Sequence, residues 1–153
     1  MVADSEEPTE VALLKMLEIQ WQDHFQTREQ VWKSLSTAAL VAAAVVGLDW
    51  AKADPLVPIV VAILLVFVAA FGIGITLKSR EVERQKFAII MKIEDALHLD
   101  LLIPGRQVPA AISLRSIISR QSNNPLFILR MHFVILLFAI AYLVLRLLPG
   151  LVK

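Results

Sequence analysis

PLVPIVVAILLVFVAAFGIGITL, residues 55–77, is the stretch that decides the fold. It runs for 23 residues without a charge, and a helix needs about 20 apolar residues to cross a hydrocarbon core roughly 30 Å thick. Pro55 and Pro58 stand in its first turn, where a missing N–H costs little because those donors have no intrahelical acceptor. The segment reads as a transmembrane helix.

Two more apolar segments flank it. Residues 34–50 are short for a span, but Trp32 and Trp50 bracket them. Indole rings favour both membrane–water interfaces, and the bracketed stretch covers about 27 Å at 1.5 Å per residue. Residues 125–148 form the third span. Asn123-Asn124-Pro125 supplies a turn, a cap and a proline at the first helical position, and Pro149-Gly150 stops the helix. Arg130 and Arg146 lie near its opposite ends, each able to snorkel to its nearer interface. The expected fold is all-α: an integral membrane bundle of three transmembrane helices, a tight hairpin plus a third span. The first connection, about Asp49 to Asp54, is short enough to force the first two spans antiparallel.

Composition agrees. The chain is 58% hydrophobic with a mean hydropathy of +0.69, against roughly 45–50% apolar in soluble domains. Cysteine is absent, which excludes disulfides, thiolate metal sites and thiol nucleophiles. The first thirty residues are acidic and lack the basic start and short apolar run of a secretory signal, so the first span is expected to be a retained anchor. Charge orients the bundle. Lys78, Arg80, Arg84, Lys86, Lys92, Arg106, Arg115, Arg120 and Arg130 follow the second span, and Lys15, Arg28 and Lys33 precede the first. The opposite side has Lys52, Arg146 and Lys153. The positive-inside rule then places the N-terminus in the cytoplasm and the C-terminus outside, with a bacterial inner membrane as the expected location.

The flanking segments also look helical. In the arm, residues 1–33, Leu14, Leu17, Trp21 and Phe25 recur on one face, continued by Trp32 and Leu35. Thr9 is a candidate cap. Glu6, Glu7 and Glu10 precede Arg28 and Lys33 in the order the helix dipole prefers, and Glu29 and Lys33 make a favourable i, i+4 pair. With no Gly or Pro between Thr9 and Val46, arm and span are expected to be one helix. The segment 78–124 should begin as a continuation of the second span to about Leu97, with Val82, Ile89, Ile93 and Ala96 as its apolar stripe. The two stalks should then pack as a coiled-coil-like bundle. Pro104-Gly105 turns the chain, and Pro109 opens an expected basic amphipathic helix, about Ala110 to Arg120. Its Arg115 and Arg120 would meet anionic headgroups. The tail is 149–153.

Chemistry is weakly signalled. His24 lies beside Asp23 on a polar stripe, and His132 near Arg130 is expected to be neutral and bonded to a neighbouring helix. Glu94 and His98 share a helical face at i, i+4, a spacing that can hold an ion, but no third ligand stands at a defined distance. Phosphate loops, HExxH, nucleophile elbows and dinucleotide fingerprints are missing. No acid or lysine lies mid-span to couple an ion. Basic residues interleave with acids, which argues against a nucleic-acid surface. The expectation is no catalytic residues, no metal and no cofactor.

Small residues do recur every four positions, a pattern that lets helices approach closely in lipid. Ala39, Ala43 and Gly47 mark one face of the first span, and Ala62, Ala70 and Gly74 one face of the second. They are expected to pack within the hairpin or between subunits. The layout over residues 10–98, a helical arm entering a tight two-span hairpin and then a further helix, resembles the SLATT-type effector domains of bacterial conflict systems. That resemblance implies an oligomer that opens membranes. The third span lies outside that plan. Two readings follow: a non-enzymatic assembly protein, homo-oligomer or accessory subunit of another membrane protein, and alternatively an oligomeric pore lined by span one, with Ser34, Ser36 and Thr37 at its mouth.

Overall fold

The computed structural model describes residues 9–99, 107–113, 117 and 124–151. Three helices dominate: α1, Glu10–Trp50; α2, Leu56–Ala96; and α3, Asn124–Leu151. No strand occurs among the described residues. All three are long and apolar enough to cross a membrane. At most 28% of the residues in their most apolar windows are buried within the chain, so most of that surface is left for lipid or another protein.

α1 and α2 each have 41 residues, about 62 Å at 1.5 Å per residue, and each joins a charged part to an apolar part without a break. Continuity alters the expected dipole: Arg28 and Lys33 sit mid-helix, far from the terminal carbonyls that would attract them, although Lys33 does pair with Glu29 at 2.8 Å. Thr9 occupies the cap position of α1, but its hydroxyl caps nothing.

The hairpin turn is a hydrogen-bonded helix stop. Ala53 N–H donates to Leu48 and Lys52 N–H to Asp49, while Lys52 takes φ 51°. This is the Schellman arrangement, with lysine where glycine is usual. Asp54 Oδ1 then accepts from Leu56 N–H at 2.9 Å and starts α2. A second left-handed residue, His98 at φ 55°, ends α2. His98 therefore lies past the helix end, off the regular helical i, i+4 spacing from Glu94.

α2 is central, with α1 along one side and α3 along another, while α1 and α3 touch more sparsely. The α1 face that enters the core repeats every seven residues: His24, Val31, Ala38 and Val45 are all buried. On α2 the buried positions Ala62, Leu65, Ala69, Gly72 and Thr76 alternate three and four apart. Seven-residue periodicity keeps a seam facing its partner in a left-handed supercoil, and here one seam runs from the charged into the apolar part of α1.

That seam takes in little of the small-residue faces. Of the six candidates only Ala62 is in the core; Ala39, Ala43, Gly47, Ala70 and Gly74 are exposed. A Cβ built on Gly47 or Gly74 would meet nothing. The three on α1 lie one or two positions beyond buried Ala38 and Val45, and one residue of helix is about 100° of rotation. On α2 the stalk stripe also shifts: Ile90 is buried and Ile89 exposed. Ile93 stays inside, and Ala96 is exposed.

Of the helix expected from Ala110 to Arg120, residues 110–113 carry no regular structure, and Ile117 N–H donates to the Ser113 carbonyl; residues 114–116 and 118–120 lie outside the described residues. The Ala110 carbonyl is instead taken by the Arg80 guanidinium. Arg115 and Arg120 lie outside the described residues.

Candidate functional site

The polar residues that converge lie where the charged parts of α1 and α2 give way to their apolar parts. The seam of α1 brings His24 inward, with Thr27, Arg28 and Val31 around it. α2 contributes Thr76, Arg80 and Glu83, and the start of α3 adds Asn124 and Ile128. Together they enclose a cavity of about 40 Å³, room for a few waters.

Its electrostatics follow from burial. Arg80, 9% exposed, is ion-paired with Glu83 one turn on, and its Nε donates to the Ala110 carbonyl at 3.2 Å. Those contacts meet the need of a charge withdrawn from water. Glu83 also faces His24, with Oε1 to Nδ1 at 4.0 Å. Burial pushes the His24 imidazole below its ordinary 6.5; the Glu83 carboxylate opposes that shift, and Arg28 and Lys86 reinforce it. On the outer side Lys86 crosses from α2 to Asp23 at 2.6 Å and to the Thr27 hydroxyl at 3.1 Å.

The lowered value gives a pH prediction. Unfolding releases His24 to its ordinary value, so between the two values the unfolded chain binds more protons and stability rises with pH. The contribution is complete above 6.5 and fades as pH falls below it. Thermal unfolding from pH 8 to 5 should show a loss below about 6.5, diminished in His24→Phe. An equal loss in the variant would remove His24 as the cause.

Below this cavity the stalks meet through rings. Phe87 of α2 packs edge-on against Trp21 and His24 at 5.8 and 5.1 Å. Of the expected stalk contacts, Trp21 and Leu17 are half-buried on this side, while Leu14 and Phe25 point outward, 48% and 60% exposed. Phe87 was not anticipated; its signal was its position, between the Glu83 and Ile90 turns of the α2 seam.

Inside the span, His132 is fully buried. Its Nδ1 meets the Ile128 carbonyl of its own helix at 3.0 Å, not a neighbouring helix as expected. The carbonyl can only accept, so Nδ1 carries the proton. Nε2 has no hydrogen-bond partner among the described residues, and the ring occupies the space beside Gly72.

The interfacial residues divide. Trp50 is 88% exposed at the hairpin end. Trp32 meets Phe127 of α3, ring centres 6.4 Å apart, and Arg130 donates to the Ile117 carbonyl at 2.8 Å. Arg146 is ion-paired with Asp49, and Tyr142 donates to the same carboxylate at 3.2 Å. This tie joins the far ends of α1 and α3, and the sequence reading missed Asp49 and Tyr142 because nothing local pairs residues so distant in the chain. Among the described residues no three His, Asp or Glu side chains converge as metal ligands would.

Comparison with protein-family models, with curated proteins and with solved structures finds no match to this chain.

Proposed function

We propose that this is a non-enzymatic membrane protein that acts by association, as a homo-oligomer or as an accessory subunit of another membrane protein. The observation that carries the reading is the outer face of the α1 stalk. Val11, Leu14, Ile19 and Phe25 are all about half exposed or more, on the part of the helix that precedes the apolar span. Apolar side chains grouped outside the bilayer mark a contact surface. The excess of Lys and Arg on the stalk side supports placing stalks and N-terminus in the cytoplasm, in a bacterial inner membrane, with the C-terminus outside.

The test is native mass after gentle extraction. A dimer or a stoichiometric complex with another membrane protein is expected, reverting to the 17.0 kDa chain when Leu14 and Phe25 are both replaced by serine. A 17.0 kDa wild-type species with no bound partner would end this reading.

A second reading, an oligomeric pore lined by α1, is favoured by the exposure of Ala39, Ala43 and Gly47 beside Ser36 and Thr37. Those two hydroxyls donate to carbonyls of their own helix, which leaves oxygen lone pairs to face water. A closed ring of several chains, with single-channel conductance changed by Ala43→Asp, would select it.

A further inference from the structure

The loosest interface of the bundle is the seam between α1 and α3; a cavity with charged side chains lies at its head, where α2 also lines it, and an apolar cavity lies along it. The polar one, about 40 Å³, lies at Arg28, Trp32 and Asn124. The apolar one, about 300 Å³, lies deeper in the span, lined by Ala42, Ala43, Val46, Val134, Ile135 and Phe138. Residues of the two cavities fall on common helical stripes. Arg28, Trp32, Leu35, Ala39, Ala42 and Val46 step by three or four along α1, as do Asn124, Ile128, Met131, Ile135 and Phe138 along α3.

Charge at the polar end is unbalanced. Glu83 neutralises Arg80, but Arg28 has no ion-pair partner among the described residues and lines the cavity. His24 faces the same space, 4% exposed, and its ring makes no hydrogen bond among the described residues. With Glu83 shared between Arg80 and His24, Arg28 is left as a cation without an ion-pair partner among the described residues, which suits a singly charged anion.

Depth then selects the anion. Trp32 sits where the span begins, and Ala42 is ten residues further, about 15 Å at 1.5 Å per residue. One leaflet of a hydrocarbon core is half of roughly 30 Å. A chain anchored beside Arg28 therefore ends in the apolar groove. We propose that the α1–α3 seam holds one anionic phospholipid, its phosphodiester in the polar cavity beside Arg28 and an acyl chain along Trp32 into the groove at Ala43 and Phe138. A free phosphate would use the first cavity and leave the second empty. The inference does not depend on whether the chain associates with others.

The experiment is native mass spectrometry of the purified full chain, incubated with equal amounts of phosphatidylglycerol and phosphatidylcholine, with and without excess inorganic phosphate. One phosphatidylglycerol per chain is expected to be retained in preference to phosphatidylcholine, and to resist phosphate. Arg28→Gln, at an exposed position, and Ala43→Phe, which fills the groove, should each weaken retention about tenfold, the scale of a charge-assisted hydrogen bond or of a lost apolar contact surface. Lys33→Gln, on the same exposed helix but away from both cavities, should change nothing. Helicity and melting of each variant, matched to the wild type, separate binding from folding. Equal retention of both lipids, or unchanged retention in Arg28→Gln, overturns the proposal. Displacement by phosphate with Ala43→Phe unaffected also overturns it, in favour of a free anion.

Discussion

Replacing Gly72 with alanine should lower the melting temperature of the protein by several degrees. A Cβ at Gly72 would fall inside van der Waals contact with Nε2 and Cδ2 of His132. The imidazole cannot step aside cheaply: it is fully buried, and its Nδ1 is tied to the Ile128 carbonyl. Forcing extra volume into a packed interior costs about 1–3 kcal/mol, and for a chain of this length each kcal/mol moves the midpoint by roughly 2–4 °C. The cause can be isolated. Trimming His132 to alanine removes the obstructing ring, so Gly72→Ala should be tolerated far better in that background. A double-mutant cycle should then give a coupling of about 0.5–3 kcal/mol. Additive effects in the cycle would show that Gly72 matters for some other reason.

A larger loss is expected from Arg80→Met. Methionine keeps an unbranched stem but leaves Glu83, 14% exposed at its side chain, without its cation, and frees the Ala110 carbonyl. Removing one partner of a buried pair typically costs 3–5 kcal/mol; the residual exposure at Glu83 brings the expectation to about 2–4 kcal/mol, discounted for solvent screening. The companion variant carries Arg80→Met with Glu83→Gln. It removes both charges and should recover most of the loss, because the penalty lies in the abandoned carboxylate more than in the missing attraction. Chemical unfolding of the three proteins in detergent measures this. A double variant as unstable as the single one would locate the cost in the Ala110 contact instead.

Both predictions rest on residues that the sequence pointed to only in part. His132 was legible as a polar residue within the third apolar segment, yet its neighbour Gly72 was not: it stands outside the four-residue spacing of Ala62, Ala70 and Gly74. Arg80 was legible as one of many basic residues after the second span and as evidence for orientation. Its burial was not, because a pair three residues apart on a helix looks the same whether solvent or another helix covers it. His24 could have been found from α1 alone, since His24, Val31, Ala38 and Val45 repeat every seven residues across the membrane boundary. The four-residue spacing of small residues, a pattern that suits helices packed in lipid, marks a neighbouring face that lies outside this seam. The apolar stripe through Leu14, Leu17, Trp21 and Phe25 is wider than the contact with α2, so Trp21 lies on the inner side while Leu14 and Phe25 are exposed.

The sequence by itself determined three long apolar helices, the short turn between the first two, and the unbroken course of each of those two. These depend on local quantities: uninterrupted apolar length, the positions of Pro and Gly, and the few residues available to turn the chain. The stop expected at Pro149-Gly150 does not hold, because α3 runs to Leu151. Tertiary structure alone decided which face of each helix is inward, that α2 is central, and that Arg80, Glu83 and His24 meet beneath Asn124 of α3. Facing is a property of pairs of helices. In a chain whose spans are apolar all round, hydrophobicity no longer marks the inner side, and fit between small side chains, ring packing and the pairing of the few buried charges settle it.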